Sequence, residues 1–206
     1  MSHRSAFACL VVPIAVLCIA AGALAGANSA HKLAIHVKAH PTSCATGYPA
    51  FTSCDQITFT YVGCGDVDVV PVFYDLREYT VTEFGLEWPS QWGSVSWVRC
   101  KGDMAVGTIA RSGDGTAVAW STCQRTWAIA PGFGWLAAAS GGSVCPIQNP
   151  ITGDWGTVDC TPDPDRDYDY PASVYCAGIC GVAGDDPCNQ PGSSKSSWGG
   201  IKSMFK

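Results

Sequence analysis

Four aspartates stand at alternate positions in the segment DPDRDYD: Asp163, Asp165, Asp167 and Asp169. Carboxylates at every second residue can converge on one hard cation, as in the first half of an EF-type calcium loop. The rest of such a loop is missing. Tyr168 stands where that loop needs glycine, Val174 where it needs its bidentate glutamate, and Arg166 dilutes the negative field. The segment reads as a solvated acidic loop, and calcium is the one cofactor its chemistry suggests.

Aromatic chemistry is denser. EWPSQWGSVSW carries Trp88, Trp92 and Trp97. Trp97 alternates with serines and is expected to face a core. Trp88 and Trp92 flank a Pro-containing turn, where exposed rings would stack on sugar faces and buried ones would fill space. His31, His36 and His40 crowd the start and no histidine follows them. A copper brace would need His31 at a processed amino terminus, but Asn28 makes a poor cleavage context. The three are expected to face solvent from a strand. A Ser-His-Asp triad would have to draw its base from them, and no G-x-S-x-G elbow occurs. Glu83 and Glu87, four apart on an extended strand, would lie about 13 Å apart, too far for an acid–nucleophile pair. The expectation is a non-catalytic protein.

The first thirty residues set the compartment. His3 and Arg4 precede an apolar run from Ala6 to about Ala25, and Ala23-Leu24-Ala25 fits the small-x-small pattern of signal peptidase sites. Residues 1–25 read as a secretory signal peptide. A spanning helix would want charged anchors on its far side, and Ala15-Val16-Leu17 is a poor lipobox for Cys18. Beyond this run no apolar stretch approaches membrane-spanning length. The net charge is −5 with no basic stripe, which argues against nucleic acid as a partner.

Of twelve cysteines, ten follow the leader: Cys44, Cys54, Cys64, Cys100, Cys123, Cys145, Cys160, Cys176, Cys180 and Cys188. An even count in an exported chain reads as disulfides. Zinc sites want C-x2-C pairs or histidine partners, and the nearest spacing is Cys176-x3-Cys180. Ten cysteines permit about 945 pairings. Cys100 with Cys123 is expected to close one short strand, and Cys145 with Cys160 a hairpin. Cys176, Cys180 and Cys188 lie in CAGICGVAGDDPC, where Gly, Asp and Pro preclude regular structure and covalent bonds must hold the shape.

The elements that position these groups are strands. HKLAIHVKAH puts Leu33, Ile35 and Val37 on one face, and ITFTYVG does so with Ile57, Phe59 and Tyr61. DVVPVFYDL, TVTEFGLEW, GSVSWVRC, MAVGTIA, TAVAWSTC, WAIAP and GWLAAAS follow, with turn signals between them. SGDG is the clearest hairpin turn, since Gly113 and Gly115 can take positive φ. Pro71 argues for an edge strand or a bulge. About nine short strands without room for helices make an antiparallel β-sandwich, expected over 26–145. A cysteine-rich hairpin and loop appendix over 146–190 follows, then a flexible linker and amphipathic tail over 191–206.

The order of features resembles a group of cysteine-rich secreted bacterial proteins with an immunoglobulin-like or cohesin-like β-sandwich. The resemblance rests on LAIHV, VPVFYDL, EFGLEWP, GDGTAVAWSTCQ, CAGICGVAGDDPC and the ending SWGGIKSMFK. It implies a fold, a secreted or cell-surface location and a tail with a common purpose, and no activity. In that tail Trp198, Ile201 and Phe205 fall at i, i+3 and i+7, with Lys195, Lys202 and Lys206 as cationic complement. Two roles suit it: a sorting or attachment signal, or a plug docked on its own sandwich. The whole reads as a structural or adhesive surface protein with a protein or glycan partner. The alternative is a carbohydrate-binding module using Trp88 and Trp92.

Overall fold

The structure, a computed structural model, describes residues 26–45, 48–160 and 168–189. The chain order is β1 (Lys32–Ala39), a 3-10 turn (Cys54–Gln56), β2 (Thr60–Tyr61), β3 (Gly65–Tyr74), β4 (Tyr79–Glu87), β5 (Gly93–Arg99) and β6 (Met104–Gly107). It continues through β7 (Gly115–Gln124), β8 (Ala128–Ile129), β9 (Gly132–Ala138), β10 (Gly142–Ile147), β11 (Gly156–Val158), β12 (Tyr168–Asp169), β13 (Ser173–Tyr175) and β14 (Ala177–Ile179). One sheet has the order β13-β1-β3-β9-β5, with β8 also on β3. The other runs β12-β11-β4-β10-β14-β2, with β7 on β4 and β6 on β7. Pairing is antiparallel except between β1 and β13 and between β14 and β2.

Period-2 alternation explains the packing. Leu33, Ile35 and Val37 of β1 are fully buried, and with Val67, Val69 and Phe73 of β3 they meet Phe84 and Leu86 of β4 and Ile179 of β14. That cluster lies between the two sheets, where each such side chain contributes about 1.5–3 kcal/mol. Phe73 and Phe84 meet edge to face across it at 5.7 Å. The other face of β1 is buried too. Ala34, Val70, Val72, Tyr74 and Phe133 form a second cluster, roofed by Phe51 and Ile57 from the 40–57 connection. Ile57 and Tyr61, expected on one strand face, therefore serve different clusters. The reason is that β2 is only two residues long and Ile57 ends the 3-10 turn.

Several expectations change. Pro71 sits inside the sheet, opposite Ile35 of β1. On the other side β9 pairs up to Val69 and β8 resumes at Phe73, so the ladder is interrupted where proline lacks its N–H. In the β6–β7 connection Gly113 takes φ +91° as expected, and the Asp114 carboxylate accepts from the N–H groups of Ala110 and Arg111. Gly115 is needed for space: a Cβ there would strike Asn149. Residues 146–190, expected as an appendix, contribute β11, β12, β13 and β14 to the two sheets, and Trp155, Val174 and Ile179 to the main core.

The cysteines pair at long range. The bonds are Cys44–Cys100, Cys54–Cys188, Cys64–Cys180, Cys123–Cys160 and Cys145–Cys176. Neither Cys100–Cys123 nor Cys145–Cys160 forms, because β7 pairs with β4 and carries Cys123 to the end of β11, away from Cys100. CAGICGVAGDDPC is likewise no internal staple, since each of its cysteines bonds a distant partner. The segment wraps closely around β2. Gly178 N–H donates to Phe59 O and Gly184 N–H to the Thr60 hydroxyl. A Cβ on Gly184 would collide with the Phe59 carbonyl.

Candidate functional site

Trp88 and Trp92 are 5% and 4% exposed and belong to the main core. Neither presents a ring face to a sugar. Their turn folds back on its neighbours: Trp88 N–H donates to Ser112 Oγ, and Trp92 Nε1–H reaches Ser140 Oγ at 3.3 Å. Trp97 packs against the core as expected, its ring 5.5 Å from Phe84. Of the aspartate ladder, Asp169 is described and buried. Its carboxylate accepts the Asn28 N–H at 2.7 Å and leaves no room for a Cβ on Gly26. It holds the turn that precedes β1. Asp163, Asp165 and Asp167 lie outside the described residues, as do Trp198, Ile201 and Phe205.

The histidines are structural. His31 is buried, donating from Nδ1 to Asn28 O at 2.7 Å. His36, also buried, accepts from Thr58 N–H at 2.9 Å and meets Phe51 edge-on. His40 lies 2.9 Å from the buried Asp68 carboxylate and stacks on Trp135. Expected solvent exposure fails at His31 and His36, which the 26–31 turn and the 40–57 connection bury, while His40, just past β1, stays partly exposed. Burial lowers His31 and His36 from 6.5 to about 4. Between these values the unfolded chain binds protons at both rings while the folded chain does not. Stability is therefore full above about pH 6.5 and lost as pH falls towards 4. Each ring is expected to cost about 2 kcal/mol at pH 5 relative to pH 7.5. Urea unfolding at both pH values checks this. His36→Gln, whose amide oxygen can accept from Thr58, should halve the acid sensitivity; an unchanged pH dependence would disprove the assignment.

Two further clusters stand out among the described residues. Glu78, Cys123 and Cys160 bring ligand atoms within 4.8 Å of one another, but the sulfurs are joined at 2.00 Å. A disulfide offers no thiolate to a metal. Glu83, expected to sit in line with Glu87, is buried while Glu87 is exposed. Its carboxylate collects three side-chain donors: Asn149 Nδ2 at 2.8 Å, Tyr168 Oη at 2.7 Å and the Thr152 hydroxyl. Burial, reinforced by Glu83, raises the Tyr168 phenol well above its usual value, so it stays a donor. This cluster ties the 149–154 loop and β12 onto β4.

A cleft of about 700 Å³ opens among the described residues. From one loop, Cys44, Ala45 and residues 48–52 line one side, and β7, β8 and the segment between them line the other. Disulfides anchor the loop near both ends, at Cys44–Cys100 and Cys54–Cys188. Tyr48 hydroxyl donates to Ala130 O at 2.6 Å and fixes its middle. Opposite, Trp120 stands edge-on to Tyr79 at 5.3 Å, and Trp127 is held by its Nε1–H bond to Asp75. Asp75 adopts φ 59° in the β3–β4 turn and also pairs with Lys32 at 2.9 Å. Lys101 is the one charged residue among the described lining, which contains no histidine or carboxylate. Such a lining binds through ring faces and a few polar groups. Sequence reading missed this cleft because Tyr48, Trp120 and Trp127 come from separate segments; the signal available was the shortage of strand pattern between His40 and Gln56.

Fold and site together define a two-sheet, all-β protein with five disulfides and an aromatic cleft beneath a cross-linked loop. Family models, curated proteins and solved structures all fail to match the chain. Among the described residues, no helix is long and apolar enough to cross a membrane.

Proposed function

We propose that the protein acts outside the cytoplasm as a non-catalytic structural or adhesive component of a cell surface or extracellular matrix, after removal of residues 1–25 as an export signal. The observation that supports this most is the covalent frame. Its five bonds engage all ten cysteines after the leader, with partners 31 to 134 residues apart. Such a frame forms and persists where the redox poise is oxidising. The described histidines and Glu83 support the same reading, since they are committed to holding strands and loops. Two packed sheets support an immunoglobulin-like or cohesin-like module as part of this proposal.

The test is made in cells that produce the full chain. The protein is expected at the cell surface or in the medium, accessible to added protease and unreactive with maleimide until reduced. Deleting its gene is expected to weaken attachment or envelope integrity. Cytosolic protein with reactive thiols, or attachment and integrity unaltered by deletion, would count against the proposal.

A further inference from the structure

The aromatic cleft lies beside the point where the chain leaves its described part. Asn189 follows Cys188, which is bonded to Cys54 with 5.6 Å between Cα atoms. Thr52, two residues before Cys54, lines the cleft. Adding two Cα steps of 3.8 Å puts the Cα of Cys188 within about 13 Å of that of Thr52. From Cys188 to Trp198 the chain reads CNQPGSSKSSW. Ten steps of a Gly/Ser-rich linker have an r.m.s. reach of about 17 Å. Span and reach match, which gives a tethered segment an effective concentration of about 1 mM.

The chemistry matches as well. Half-buried Tyr48, Trp120 and Trp127 line the cleft beside the buried Phe51, and the tail carries Trp198, Ile201 and Phe205. A segment this short cannot bury those side chains by forming an isolated helix. We propose that Trp198, Ile201 and Phe205 seat in the cleft of their own chain, leaving Lys195, Lys202 and Lys206 in solvent. The cross-linked loop then serves as the tail's receptor. Any outside partner that takes the cleft must first displace the tail.

The proposal is tested on full-length protein labelled with 5-fluorotryptophan, unaltered and carrying Trp198→Ser, Ile201→Ser and Phe205→Ser together. These substitutions fall outside the described strands and core. The ¹⁹F resonances of Trp120 and Trp127 are expected to move between the two forms. A synthetic peptide of residues 195–206 is expected to bind the substituted protein with a Kd of about 100 µM. Binding to the unaltered protein should be about tenfold weaker, because the tethered tail at about 1 mM competes. The same peptide with Trp198→Ser should bind neither. Four results would overturn the proposal: unmoved Trp120 and Trp127 resonances; a peptide that binds both proteins equally or neither; tail-dependent self-association in sedimentation, which places the tail in a second copy; or oligosaccharides that bind both proteins equally and shift Trp120, which makes the cleft a glycan site.

Discussion

Replacing Cys64 and Cys180 together with alanine is expected to lower the unfolding free energy by about 4 kcal/mol. Cys64 immediately precedes β3 in the six-stranded sheet, and Cys180 immediately follows β14 in the eight-stranded one. Their bond thus links the two sheets covalently at an exposed margin, outside the core. The sequence separation is 116, for which loop-closure entropy alone would give about 5 kcal/mol. The four remaining bonds already restrict the unfolded chain, which reduces the figure. Against a total stability of about 5–15 kcal/mol, the loss is large. Guanidinium unfolding of the oxidised variant, compared with the unaltered protein, reads it directly. A difference below about 1 kcal/mol would mean that hydrophobic contact between the sheets suffices without the staple.

The second large effect is expected at Glu83. Glu83→Ala removes the acceptor of Asn149, Thr152 and Tyr168 at one stroke. A buried donor left without a partner costs about 1–3 kcal/mol. Partial access of water to Thr152 and Tyr168 keeps the sum near the lower end, at about 4 kcal/mol. Glu83→Gln should cost about half as much, because its amide oxygen still accepts while its amino group confronts donors. The loss should begin locally, with faster amide exchange over 149–158 before the main core opens. Equal stability of the alanine and glutamine variants would show that the three donors find other partners.

The alternation of Leu33, Ile35 and Val37 is what a strand with one face on a core requires, and β1 bears it out. The same periodicity located β3, β4, β5, β7 and β9, and the positive φ of Gly113 followed from its place in a hairpin turn. These features are local, decided by the polarity and conformational freedom of neighbouring residues. An even count of cysteines after an apolar leader likewise pointed to oxidation, because compartment chemistry acts on the whole chain at once.

What alternation cannot report is how many layers cover a strand. His36 looks solvent-facing until the 40–57 connection crosses the outer face of the six-stranded sheet. Trp88 and Trp92 look exposed until their turn folds back onto Ser112 and Ser140. Pro71 looks like an edge residue until two separate strands are seen to share one side of β3.

By itself, the sequence determined that this protein is an oxidised chain of short strands, since both properties arise from residue types and short-range pattern. Tertiary structure alone decided which sulfurs meet, which carboxylate is buried and where a cleft opens. Each of those depends on residues dozens of positions apart becoming neighbours, and the free energy of that approach belongs to the packed sheets as a whole.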